Sequence, residues 1–136
     1  MMKKKSLTPD TLFPSTEFGF AQVVTSRQDK FVHCAGQTAW DKDMQIVGVG
    51  DLAIQLEQAF ENVRLALDAA GATPNDVVRI TIYVVNYKTE QIEIIGQMMN
   101  SFFDKDHLPA STLVGVQSLA LPEFLVEIEV TAIVDE

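Results

Sequence analysis

The sequence predicts one α+β domain in the order β-β-β-α-β-α-β-β, a mixed sheet with two helices packed on one face. Three stretches lead to it. Asp51 to Ala70 repeats its apolar residues at three- and four-residue spacing, the period of a helix with one buried stripe. Val77 to Val85 is a run of β-branched residues, as in a buried strand. From Phe124 to Val134 the side chains alternate, with Phe124, Val126, Ile128, Val130, Ala132 and Val134 on one face and Leu125, Glu127, Glu129, Thr131 and Ile133 on the other. Both short turns and helical crossovers join the strands, so the sheet is expected to be mixed.

Residues 1–16 are polar, contain Pro9 and Pro14, and are expected to be an extended lead-in to a domain spanning 17–136. No apolar segment follows Lys3-Lys4-Lys5, so this basic start reads as a disordered tail and not a signal peptide. Phe20–Val24 and Phe31–Ala35 are short apolar runs around the polar turn Ser26–Lys30, which predicts a hairpin. Asp41-Lys42-Asp43 predicts a further turn and Met44–Val49 a third strand. Asp51 suits the N-cap of the first helix. Gly71 and Pro74 suit its end, glycine by tolerating a left-handed residue and proline by blocking continuation. Asn86-Tyr87-Lys88 leads to a second helix over Glu90–Phe103, with Ile92, Ile95, Met98, Met99 and Phe102 on its buried side. Pro109–Val116 and Phe124–Val134 complete the sheet.

The 136 residues suffice for one domain with a core of its own. A net charge of −9 without a basic patch argues against a nucleic-acid partner. No apolar run reaches the ~20 residues of a membrane helix. The single cysteine, Cys34, excludes an intrachain disulfide and points to a reduced, cytoplasmic setting. A small-molecule ligand or a protein partner remains.

Glu127 and Glu129 stand out, because two carboxylates share one face of an otherwise apolar strand. Either that face is wet, or it lines a site in which a carboxylate moves a proton or activates water. His33, His107, Asp104, Asp106, Asp41 and Asp43 lack ligand spacing, so no metal is expected. Cys34 reads as a small buried hydrophobe, since His33 beside it on a strand points the other way. Ser111 and Thr112 have no suitable base nearby in sequence, and Gly48 and Gly50 fit a turn better than a phosphate loop. With helices on one face, the apolar strands Thr112–Val116 and Phe124–Val134 leave a patch that self-association would cover.

The run Asp51 to Arg64 through Ala69-Ala70-Gly71, then Asp76–Val84, resembles the Rid family, the YjgF or RidA-like imine deaminases also called L-PSP endoribonucleases. Ala35-Gly36-Gln37, Pro109–Val116, Leu121-Pro122 and Val126–Glu129 resemble the same family, and the likeness runs from about Phe18 to Val134. It implies a chorismate-mutase-like fold, a homotrimer, and ligand clefts between subunits. It also implies hydrolysis of enamines and imines, such as 2-aminoacrylate, to a keto acid and ammonia without a cofactor. The water-activating glutamate of the family falls on Glu127, and its backbone contact after the second strand falls on Gly36. The arginine that grips a substrate carboxylate falls on Ser111, an aromatic hydroxyl on Phe20, a pocket cysteine on Leu113 and a helix asparagine on Gly96. Serine supplies neither the charge nor the fork of arginine. The chain therefore resembles the branch without the arginine, with a cleft suited to a more apolar or differently charged ligand. Two functions follow as expectations: a deaminase-like hydrolase using Glu127, or a non-catalytic trimer that binds a metabolite or a protein.

Overall fold

The computed structural model describes residues 3–27 and 30–135. Its strands are β1 (Lys4–Leu7), β2 (Val23–Ser26), β3 (Lys30–Gln37), β4 (Val77–Val85), β5 (Ala110–Val116) and β6 (Val126–Val134). Its helices are α1 (Leu52–Ala69) and α2 (Ile92–Phe102). Four strands form one sheet in the order β3-β6-β4-β5, and β1 pairs with β2. Within that sheet, among the described residues, β4 and β5 are the parallel pair, with α2 as their crossover, because parallel neighbours cannot be joined by a tight turn. An isolated bridge between Ala21 and Ala110 carries the β1–β2 ladder to the free edge of β5.

Both helices cover the same face of the sheet. Ile80, Ile82 and Val84 of β4 and Val126, Ile128 and Val130 of β6 are buried under Leu56, Phe60, Val63 and Leu67 of α1 and Ile95 and Met99 of α2. Each of these strands alternates, so one side is core and the other is open. The register sets the open side. Tyr83 stands opposite Glu127 and Thr81 opposite Glu129, while His33 of β3 stands opposite Thr131.

Asp51 caps α1 as its sequence suggests, its Oδ1 accepting from the Ile54 amide at 3.1 Å. Gly71 follows that helix with φ 74°, the left-handed region where a side chain would be strained. A short 3-10 turn, Thr89–Gln91, opens α2 where the sequence predicts α-helix from Glu90.

Four expectations need correction. The hairpin does not form: β2 pairs with β1 and β3 pairs with β6. A polar turn signals a reversal but does not choose partners, and β6 offers β3 a long buried ladder. (Residues 28–29 of that turn lie outside the described residues.) Met44–Val49 is a loop and not a third strand. It touches a ladder only at the Trp40–Ile46 bridge, and Asp41 Oδ1 turns it by accepting from the amides of Asp43 and Gln45.

The basic start is not a disordered tail where it is described, because Lys4–Leu7 is β1. The Lys4 ammonium is buried and donates to the carbonyls of Asn75, Val77 and His107 at 3.1, 2.5 and 2.7 Å. Finally, the open face of the sheet is mixed and not strongly apolar. Arg79, Thr81, Tyr83, Glu127, Glu129 and Thr131 occupy its middle, with Phe31 at one border.

Candidate functional site

Four residues singled out from the sequence meet in one pocket of about 330 Å3 on the helix side of the sheet. Ser111 and Leu113 reach it from β5, because they pair with the inward-facing Ile80 and Ile82 of β4. Gly96 comes from the middle of α2, together with Ile92, Ile95 and Met99. Phe20 comes from the segment before β2, joined by Phe13 and Phe18. The rings of Phe18 and Phe20 lie edge-on to Phe13, with centroids 6.3 and 6.1 Å away. Ser111 is the one lining side chain with a polar group, and no lining residue is charged.

Glu127 and Gly36 are elsewhere, together, on the open face. Glu127 is half-buried and packed against Gly36. A Cβ at Gly36 would overlap Glu127 Oε2 and stand 2.6 Å from Cδ. The glycine thus leaves the room that the Glu127 side chain occupies. Within one chain the sheet separates Glu127 from the pocket.

Glu127 has neighbours that no motif in the sequence marks. Tyr83, its cross-strand partner, donates its hydroxyl to Glu129 Oε1 at 2.5 Å. That bond, then burial, push the Tyr83 hydroxyl above its ordinary range. The charges of Glu129 and Glu127 act the same way, and Arg79 opposes them. Tyr83 therefore keeps its proton beside two carboxylates. Period-two counting along β4 places Arg79, Thr81 and Tyr83 on one face and could have found this group. Arg79 itself donates to the Thr112 hydroxyl. Beside it a groove of about 290 Å3 is lined by His33, Thr81, Glu129 and Thr131 among others.

Cys34 is half-buried against the core, and burial raises its thiol pKa, as suits a packing residue more than a nucleophile. Among the described residues no three His, Cys, Asp or Glu side chains converge as metal ligands would. No helix among them is long and apolar enough to cross a membrane.

The fold and pocket define an α+β domain of the chorismate-mutase-like type, two helices on a mixed sheet with a cavity between α2 and the edge strand β5. The sequence profile described as Endoribonuclease L-PSP matches residues 12–134, and the chain belongs to that family, the Rid or YjgF family. A crystal structure of a conserved Rid-family protein, YyfB from Yersinia pestis, superposes with a TM-score of 0.95 at 40% identity over 98% of this chain and 100% of that one. A member of the YjgF/YER057c/UK114 family from Mycobacterium tuberculosis superposes with a TM-score of 0.64 at 30% identity, covering 96% and 99%. Among curated relatives, a 2-iminobutanoate/2-iminopropanoate deaminase of Dermatophagoides farinae is 27% identical over 118 residues, which is 87% of this chain and 88% of that protein. A RutC family protein of Pyrococcus abyssi is 29% identical over 102 residues, covering 75% and 77%.

Proposed function

We propose that this protein is a deaminase-like hydrolase of small enamines or imines, working in clefts between the subunits of a cytoplasmic homotrimer without a cofactor. The observation that carries the reading is the convergence of Phe20, Gly96, Ser111 and Leu113 on one pocket, while Glu127 stands beside Gly36 on the opposite face. A second subunit presenting its open face to the pocket would complete the site. The name of the mite relative supplies the reaction class.

Glu127 would take a proton from water as the oxygen attacks the C=N carbon, and the C=N electron pair would move to nitrogen, which picks up a proton. The tetrahedral intermediate then breaks its C–N bond, releasing ammonia and leaving a carbonyl. Imine plus water equals carbonyl compound plus ammonia, so no oxidant or metal enters the balance. The bond to Tyr83 engages Glu129 and leaves Glu127 to act as base.

One observation favours the second reading, a non-catalytic metabolite- or protein-binding trimer. Ser111 is the polar side chain of the pocket, and no charged residue lines it to hold a carboxylate. An RNA substrate is disfavoured by the net charge of −9.

Ammonia release from a panel of enamines and imines decides between the two. Hydrolysis is expected with the natural sequence and not with Glu127→Gln. Equal turnover in both, or none with either, returns the protein to the binding reading. Light scattering is expected to give a trimer, and a stable monomer would refute the shared cleft.

A further inference from the structure

We propose that the pocket between α2 and β5 accepts an uncharged molecule with one aromatic ring and a single hydrogen-bonding end, and rejects small carboxylates. This rests on the reading that the pocket is the ligand site and names the class of ligand.

Size comes first. A dry cavity of ~150 Å3 holds a benzene ring, and this pocket has about 330 Å3. That leaves room for a ring and a short substituent. Shape comes next. Ile82 and Leu113 line it from the sheet, Ile95 and Met99 from α2, and Phe18 and Phe20 from the segment before β2. Aromatic side chains set edge-on to one another offer both ring faces and ring edges, the two surfaces an aromatic guest pairs with.

Polarity settles the end group. The Ser111 hydroxyl can donate and accept, and among the described residues it makes no hydrogen bond of its own. It anchors one alcohol, amide, imine or carbonyl. A carboxylate there would lose its water without gaining a cation, which is costly in an apolar site. Within one chain Arg79 cannot help, being on the other face of the sheet and bonded to Thr112, and the open face that a second subunit would bring carries the carboxylates of Glu127 and Glu129 beside that arginine. The chain's excess of negative charge adds repulsion at longer range.

Gly96 adds to the room in the pocket. A glycine inside a helix is unfavourable by about 1 kcal/mol relative to alanine. Here no close neighbour demands it, since a Cβ would meet only Phe18 backbone atoms at 3.9–4.0 Å. The space it leaves belongs to the pocket.

The test compares benzyl alcohol with benzoate, which share a ring and differ in charge, by calorimetry and by methyl and aromatic chemical shifts on the full chain. Benzyl alcohol is expected to bind saturably, shifting Ile82, Leu113 and Phe20, with benzoate at least about tenfold weaker. Ser111→Arg should reverse that order. Leu113→Trp and Gly96→Leu, two independent ways of filling the space, should each abolish binding. Benzoate binding as well as or better than benzyl alcohol would overturn the proposal. So would failure of both to bind, or an unchanged order in Ser111→Arg. Binding is read without any turnover. Absence of turnover therefore sinks the hydrolase reading alone. Hydrolysis of carboxylated imines together with a preference for benzoate sinks this inference alone.

Discussion

Gly36 has no side chain because Glu127 fills the place where one would stand. Alanine there must push the carboxylate aside, which is easy for the end of a flexible side chain and ruinous for its aim. Gly36→Ala is expected to cost less than about 1 kcal/mol in urea unfolding while turnover falls as in Glu127→Gln. Tyr83 gives a second prediction. Its folded-state pKa is raised, so the stability it contributes is full below the unfolded value and is lost as pH rises through the folded one. Alkaline titration of phenolate absorbance should place Tyr83 above its ordinary range, and Glu129→Gln should lower it. The stability advantage of the natural sequence over Glu129→Gln should shrink over the same alkaline window. That Glu127 and Glu129 share one face of their strand was legible from period-two alternation. The Gly36 contact was not, because the register of β3 against β6 shifts between Cys34 and Gln37, and no local pattern reveals that irregularity.

Elements with strong local signals read well. The period of α1, its Asp51 cap and the β-branched run of β4 all announce themselves, since each is decided within a few residues. Pairing is decided at long range, which is why a polar turn predicts a hairpin that β2 and β3 do not form. Gln55 shows the same limit in one side chain. It occupies a core position on α1, fully buried. Its amide donates to the carbonyls of Gly48 and Glu123 at 3.1 and 2.9 Å, and its oxygen accepts from the Leu125 amide at 2.9 Å. It thus ties α1 to the loops before itself and before β6. Gln55→Met keeps the bulk and abandons three backbone groups, so a loss of roughly 2–4 kcal/mol is expected in denaturant unfolding.

At the scale of the whole molecule, the N-terminal arm is pinned at its root by Lys4 and carries Phe13, Phe18 and Phe20 to the pocket. A run of three lysines reads as solvated, and only the three carbonyls converging on Lys4 make its burial tolerable. Burial lowers its pKa to about 8, so the penalty for holding it charged is complete below that pH. The penalty disappears as pH rises toward the unfolded value. Relative to Lys4→Met, the natural sequence should therefore gain stability as pH rises above about 8. Unfolding both proteins at stepped pH checks the sign.

The sheet has a further consequence. It stands as a wall between the pocket and Glu127, and no hinge within one chain can bring the two together. In the proposed trimer every working centre is then joint property of two subunits. Two lesions on opposite sides of that wall should be able to rescue one another. Glu127→Gln protein, with a sound pocket, and Gly96→Leu protein, with a sound carboxylate, should each be silent alone. Unfolded together and refolded as mixed trimers, they should recover activity at the interfaces that pair the intact halves. A mixture as silent as its parents would mean that each chain works, or fails, by itself.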